Sequence, residues 1–183
     1  VMLWSDHGQN FGEHKNWRKM SLWEESTHVP LVIKLPKQTK GQNCAQVVSL
    51  LDIYPTLTQL CQLPHVNSNE GLSLTTLLNN PRHNRTRPAV TTWGYKNHSV
   101  RDEHWRYIQY RDGSEELYDH INDANEHYNL AKNSQYKPLK EKLKLWLPKE
   151  NKLPSHMSVW GEDFLEKRLN KWQQDNGIPD WLS

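Results

Sequence analysis

The sequence predicts an α/β fold: the closing portion of an α/β sheet domain, then a small antiparallel sheet subdomain with a covering helix. Three features lead there. Apolar runs at residues 1–4 and 29–35 are short and bounded by turn formers, as strands of a buried sheet are. Ile53, Leu57, Leu60 and Cys61 recur at i, i+4, i+7 and i+8, which is one face of a helix. Past residue 88 the repeat shortens to two, the period of half-buried strands.

Taken in order, residues 1–4 form a strand that ends at Ser5-Asp6-His7-Gly8. Residues 9–28 are polar and dense in His, Trp and Lys, the composition of a long functional loop. Residues 29–36 make a second strand, with Pro30 near its start and Pro36 closing it. Asp52 is placed to cap a helix that carries Pro55 in its first turn and stops before Pro64. The basic stretch 79–88 reads as a linker, so a boundary falls between residues 1–85 and residues 86–183. In the second part, residues 89–93 and 99–101 read as strands. Residues 105–110 alternate, Asp112-Gly113 is a hairpin turn, and residues 115–118 return. Leu139, Leu143, Trp146 and Leu147 mark an amphipathic helix ended by Pro148; Leu165, Leu169 and Trp172 mark a weaker one.

Composition narrows the function classes. Lys and Arg number 23 against 21 Asp and Glu, a net charge of +2, so no strong field points to nucleic acid or an anionic membrane. No apolar run approaches the roughly 20 residues of a spanning helix. Nine Trp, seven Tyr and two Phe exclude a fully disordered chain. The hydrophobic share, 35%, is low for a domain standing alone and suits a piece of something larger. Two cysteines, Cys44 and Cys61, exclude a disulfide scaffold and a four-cysteine zinc site, and read as two unpaired thiols. The opening strand leads straight into Ser5 with no signal peptide, so the true N-terminus is expected upstream.

The chemistry concentrates in residues 5–31. Asp6 and His7 stand where a parallel strand ends, the place where open α/β sheets hold ligands, and Gly8 permits the turn that lets both reach one site. A carboxylate with an imidazole suits a divalent cation. Lys19 adds a mobile positive charge for an anionic group at that metal. The plainer alternative, a strand-end Asp that only shapes a turn, weakens as the spaced positions Gly12, Glu13, His14, Trp17, Lys19, Glu24 and Pro30 accumulate.

These residues carry a resemblance. Ser5-Asp6-His7-Gly8, then Gly12-Glu13-His14, Trp17 and Lys19, then Glu24 and Val29-Pro30-Leu31, resemble the C-terminal portion of the sulfatase family within the alkaline-phosphatase-like superfamily, nearest its iduronate-2-sulfatase-like branch. Asp52-Ile-Tyr-Pro55, Thr91-Thr-Trp-Gly94, Ser99-Val-Arg101-Asp102, Trp105-Arg-Tyr-Ile108 and Glu116-Leu-Tyr-Asp119-His120 extend it to about residue 131. The resemblance implies that Asp6 and His7 are two ligands of a single Ca²⁺, that Asp6 lies beside the catalytic nucleophile, and that Lys19 contacts the sulfate oxygens. It implies a formylglycine nucleophile made from a cysteine, a sulfated saccharide substrate, and a periplasmic, extracellular or lysosomal location. Gln9 and His98 are candidate substrate contacts: Gln9 follows the metal pair, and the C-terminal subdomain of the resembled branch closes one side of the pocket. Glu13 and His14 are candidates to support the metal ligands.

The departure from that family is large: the resemblance places the acidic pair that completes the calcium site, and the other Lys and His of the sulfate pocket, upstream of this chain. The nucleophile motif, Cys-x-Pro-Ser-Arg, is missing, for Cys44 precedes Ala-Gln-Val-Val and Cys61 precedes Gln-Leu-Pro-His. The nucleophile is therefore expected on a missing upstream segment of the same enzyme, and this chain is expected to be inactive alone. Two alternatives remain: a two-zinc phosphodiesterase or phosphatase of the same superfamily, and a non-catalytic glycan-binding remnant. Trp17, Trp23, Trp93 and Trp105 are candidates to stack on sugar rings, with Trp93 and Trp105 more suited to the core. The Lys-rich stretch 137–149 reads as a solvated face.

Overall fold

The computed structural model describes residues 1–152, so the expected helix at Leu165, Leu169 and Trp172 lies outside the described residues. The fold is α/β. Its elements are β1 (Met2–Trp4), β2 (Asn10–Phe11), β3 (Trp17–Arg18), α1 (Glu24–Thr27), β4 (Leu31–Ile33), α2 (Ile53–Leu60) and α3 (Thr75–Asn79). Then follow β5 (Ala89–Thr92), β6 (His98–Arg101), β7 (Trp105–Gln109), β8 (Glu115–Asp119) and α4 (Lys137–Lys144). Among the described residues no helix is long and apolar enough to cross a membrane.

Strands β5 to β8 form an antiparallel meander in sequence order, as the period of two required. Gly113 closes the β7–β8 hairpin at φ +86°, a conformation costly for other residues, and its N–H donates to the Tyr110 carbonyl. Both faces of the meander are covered. On one, Val100, Tyr107 and Leu117 pack with Ala131 and with Leu143 of α4. On the other, Ile108 and Tyr118 pack with Leu22 and Trp23. A simple alternation of buried and exposed residues along β7 therefore does not hold: Arg106, Tyr107 and Ile108 are all buried.

The Lys-rich helix is more than a solvated face. Lys140 and Lys144 both reach Glu115 on β8, Lys144 at 2.7 Å, and Tyr107 donates its hydroxyl to the same carboxylate at 2.7 Å. Burial works against ionisation of Glu115, but the two ammonium groups and the Tyr107 hydroxyl outweigh it and draw its pKa down from 4.5 to about 2. A carboxylate with a depressed folded-state pKa contributes stability above its unfolded value and loses it as pH falls. Glu115→Gln is expected to remove part of the fall in Tm between pH 4.5 and pH 2, while an unchanged acid profile would count against this anchor.

The front of the chain departs from the expected parallel arrangement. β1 pairs with β4 antiparallel, with Met2 opposite Ile33, Leu3 opposite Val32 and Trp4 opposite Leu31. The second strand spans only Leu31–Ile33. Leu3 and Val32, paired across this ribbon, are 62% and 56% exposed. Such an apolar face invites self-association. The double substitution Leu3→Thr, Val32→Thr is expected to lower the apparent mass of the chain in static light scattering, and no change would contradict that role.

Helix α2 begins differently from the expected cap. Ser49 is the capping residue of a short 3₁₀ turn, Leu50–Asp52, and Asp52 returns a carboxylate oxygen to the Ser49 N–H. Asp52 is buried and also accepts from Leu72 N–H at 2.7 Å and from Arg85 at 2.7 Å. The carboxylate ties the helix start to the segment after it. Ile53, Pro55, Thr56 and Thr58 are buried, whereas Leu57 and Leu60 are about two-fifths exposed and Cys61 is exposed, so the expected apolar face is largely open.

Candidate active site

The residues after β1 make the site. Ser5 donates its hydroxyl to the His7 carbonyl at 2.8 Å, folding the strand end over. Gly8 then passes against helix α1: its N–H donates to Ser26 O at 2.9 Å, and a Cβ there would lie 1.9 Å from the Glu25 carbonyl oxygen. The expected reason for this glycine was freedom to turn. The structure supplies another, the absence of a side chain where two backbones meet.

Residues 9–28, expected as one long loop, contain a small hairpin and a helical turn. β2 pairs with β3, placing Asn10 opposite Arg18 and Phe11 opposite Trp17, and the turn between them uses Gly12 at φ +119°. Asn10 is fully buried and its amide donates to Arg18 O at 2.8 Å and to Ser26 at 2.6 Å. That holds the residue before Lys19 against the start of the site. The hairpin delivers Lys19 to His7.

Asp6, His7 and Lys19 come together. Lys19 Nζ lies 2.9 Å from His7 Nε2, and Asp6 Oδ2 lies 3.6 Å from the same nitrogen. His7 Nδ1 is 2.7 Å from the Gly8 carbonyl. A carbonyl only accepts, so Nδ1 carries the proton; an ammonium only donates, so Nε2 offers its lone pair. This is the tautomer a metal-binding imidazole needs, oriented by a backbone carbonyl on its far nitrogen. The Asp6 side chain is 83% exposed and the His7 side chain 35% exposed, so neither points into an apolar interior.

The donor set fits a divalent cation. Two donor atoms 3.6 Å apart would both reach one ion at the roughly 2.4 Å of a calcium–ligand bond, but the Lys19 ammonium takes the Nε2 lone pair here, so an ion bound there would displace it. Two ligands fall short of the 6–8 that calcium takes, so the remainder has to come from other groups. The other candidates stand elsewhere. Gln9 is exposed beside Gly8. His98 is buried at the start of β6, with Thr92 Oγ1 2.8 Å from Nδ1 and Asn151 Oδ1 2.7 Å from Nε2, so both ring nitrogens already have partners. Glu13 accepts the Phe11 N–H, and His14 stacks on Trp23 with ring centroids 4.3 Å apart. His14 also meets Tyr118 of β8 edge-on, with centroids 6.2 Å apart, and so packs the loop against the meander.

A buried ionic network, unforeseen in the sequence, clamps that loop to the meander. Arg106 is 2% exposed and donates to Leu22 O at 3.0 Å, to Ser99 Oγ at 2.8 Å, and to the carboxylates of Glu24 and Glu126. Glu126 also accepts from Glu24 N–H at 2.9 Å and pairs with His120 at 2.7 Å. Arg101 reaches Glu24 at 3.3 Å and His120 at 2.9 Å. Burial opposes ionisation of Glu24 and Glu126, yet the guanidinium of Arg106 and the neighbouring imidazoles hold both carboxyls below their ordinary range. Trp23 completes the contact by donating its indole N–H to Glu116 at 2.8 Å.

This architecture is that of the C-terminal portion of a sulfatase. The chain belongs to the family of N-sulphoglucosamine sulphohydrolase C-terminal domains, whose model matches residues 12–152. It is 42% identical over 151 residues to a sulfatase of Formosa agariphila, covering 82% of this chain and 30% of that protein. It is 33% identical over 146 residues to arylsulfatase K of Homo sapiens, covering 72% of this chain and 27% of the relative. The chain thus spans less than a third of the length of these relatives. Among solved structures, BT1596, a 2-O GAG sulfatase, superposes with a TM-score of 0.70 at 23% identity, over 100% of this chain and 41% of that one, a likeness of fold.

Proposed function

We propose that this chain is the C-terminal part of a calcium-dependent sulfatase that removes sulfate from a sulfated saccharide. The observation that carries the reading is the meeting of Lys19, His7 and Asp6, an ammonium 2.9 Å from an imidazole nitrogen that a carboxylate also approaches. Asp6 and His7 would hold the cation, His7 through Nε2, with Gly8 fixing the ring. A divalent ion held there by Asp6 and His7 would supply Lewis-acid chemistry, lowering the pKa of a nucleophile and polarising the sulfate group. Lys19 then neutralises charge that builds on the remaining sulfate oxygens as the ester bond breaks. The formylglycine nucleophile belongs, on this reading, to a segment outside this chain. Accordingly the 183-residue chain alone is expected to release no sulfate.

The substrate class rests on the relatives: one structural neighbour is described as a 2-O GAG sulfatase, and the matching family takes its name from N-sulphoglucosamine. The test is sulfate release from heparin-derived and chondroitin-derived saccharides by the complete enzyme, together with its metal content. Sulfate release with one calcium per chain supports the reading. Turnover of phosphate diesters with two zinc ions per chain, and none of sulfate esters, would replace it with the phosphodiesterase alternative.

A further inference from the structure

Behind the Lys19-bearing hairpin lies a second polar cluster that the sulfatase chemistry does not use. One donor atom each from His14, Glu25 and Glu126 lies within 4.8 Å of the other two. His14 sits in the turn between β2 and β3, Glu25 in α1, and Glu126 in the segment after β8. His14 Nε2 and Glu25 Oε2 are buried, and neither has a hydrogen-bond partner. Buried polar atoms are nearly always paired, because desolvation otherwise goes uncompensated. Two residues of one three-residue cluster thus each carry an orphaned atom. Glu126 is fully buried; its Oε1 serves Arg106 and His120, and its Oε2 accepts the Glu24 N–H at 2.9 Å, which leaves that oxygen a second lone pair. Among the described residues Glu25 enters no ion pair, whereas Glu24 and Glu126 share Arg106.

We propose that His14, Glu25 and Glu126 bind a divalent transition-metal ion, zinc by its donor set, which staples the β2–β3 turn to α1 and to the segment after β8. An imidazole with two carboxylates suits zinc better than calcium, and three protein ligands leave a fourth position for water. Zinc bonds of roughly 2.0–2.2 Å set tetrahedral ligands about 3.3 Å apart, so the donors need to close in by at most about 1.5 Å. The neighbouring cluster of Glu24, His120 and Glu126 is a poorer seat, since Arg101 and Arg106 already hold its carboxylates. The zinc site shares no ligand with the Asp6–His7 pair and does not depend on the sulfatase reading.

Titration of the 183-residue chain with zinc chloride, followed by calorimetry and by Tm from circular dichroism, tests this. The parent chain is expected to bind zinc, with Tm rising by about 5–10 °C at a hundred times the Kd. His14→Ala and Glu25→Gln are each expected to weaken zinc at least tenfold and to remove that rise, while His7→Ala keeps both. Glu25→Gln preserves the size of the side chain, so it reports on the site even where His14→Ala fails to fold. Zinc binding unchanged in folded Glu25→Gln overturns the site. Binding lost in His7→Ala and kept in His14→Ala overturns it too, assigning the zinc to the Asp6–His7 pair and leaving the sulfatase reading standing. A folded parent chain that takes up no zinc at millimolar concentration also overturns it, and leaves the cluster to an internal water.

Discussion

Arg106→Met is expected to destabilise the chain by about 3–5 kcal/mol, because removing one partner of a buried ion pair leaves the other charged and unpaired. Here the loss is compounded. Glu24 and Glu126 both depend on this guanidinium, and Leu22 O and Ser99 Oγ each lose a donor. Glu126 is fully buried, so water cannot replace the contact without opening the structure. Arg106→Lys keeps the charge but loses the planar fork that serves several acceptors at once, and an intermediate loss is expected. Thermal unfolding followed by circular dichroism measures both. A Tm within one or two degrees of the parent in Arg106→Met would mean that the clamp does not hold the loop.

Lys19→Ala carries the second large effect, on rate and not on folding. Loss of one group that stabilises charge in the transition state costs about 10²–10³ in kcat. Lys19 is exposed, and among the described residues its side chain hydrogen-bonds to His7 alone, so the substitution removes little packing. The complete enzyme is therefore expected to keep its Tm and lose turnover of sulfate esters by two to three orders of magnitude. Turnover within threefold of the parent would remove Lys19 from the site. The contrast with Arg106 separates positioning from chemistry: one substitution lowers stability, the other lowers rate.

How much of this could be read beforehand follows from sequence distance. Asp6, His7 and Lys19 lie within fourteen residues of one another, and their pattern with Gly12, Trp17 and Pro30 is local. The meander was equally plain, since alternation and the Asp112-Gly113 turn are also local signals. The clamp was not, because Arg106 meets Glu24 across 82 positions and alternation marks it only as part of a polar row. No periodicity announces that Leu22 and Trp23 will cover that row. Antiparallel pairing of β1 with β4 was missed for a related reason: an apolar run shows burial and carries no direction. Leu57 and Leu60 show the converse, a helix face correctly placed by spacing yet about two-fifths exposed here. Asn10 gave no signal at all, although its amide holds the backbone just before Lys19.

Calcium titration followed at the ring nitrogens of His7 by nitrogen-15 magnetic resonance, in the complete enzyme, tests the Asp6–His7 assignment most directly. Bound calcium is expected to move the Nε2 resonance while Nδ1 keeps its proton on the Gly8 carbonyl, and Asp6→Ala is expected to abolish the response. A His7 Nε2 resonance that stays fixed through millimolar calcium in the folded enzyme would contradict the account.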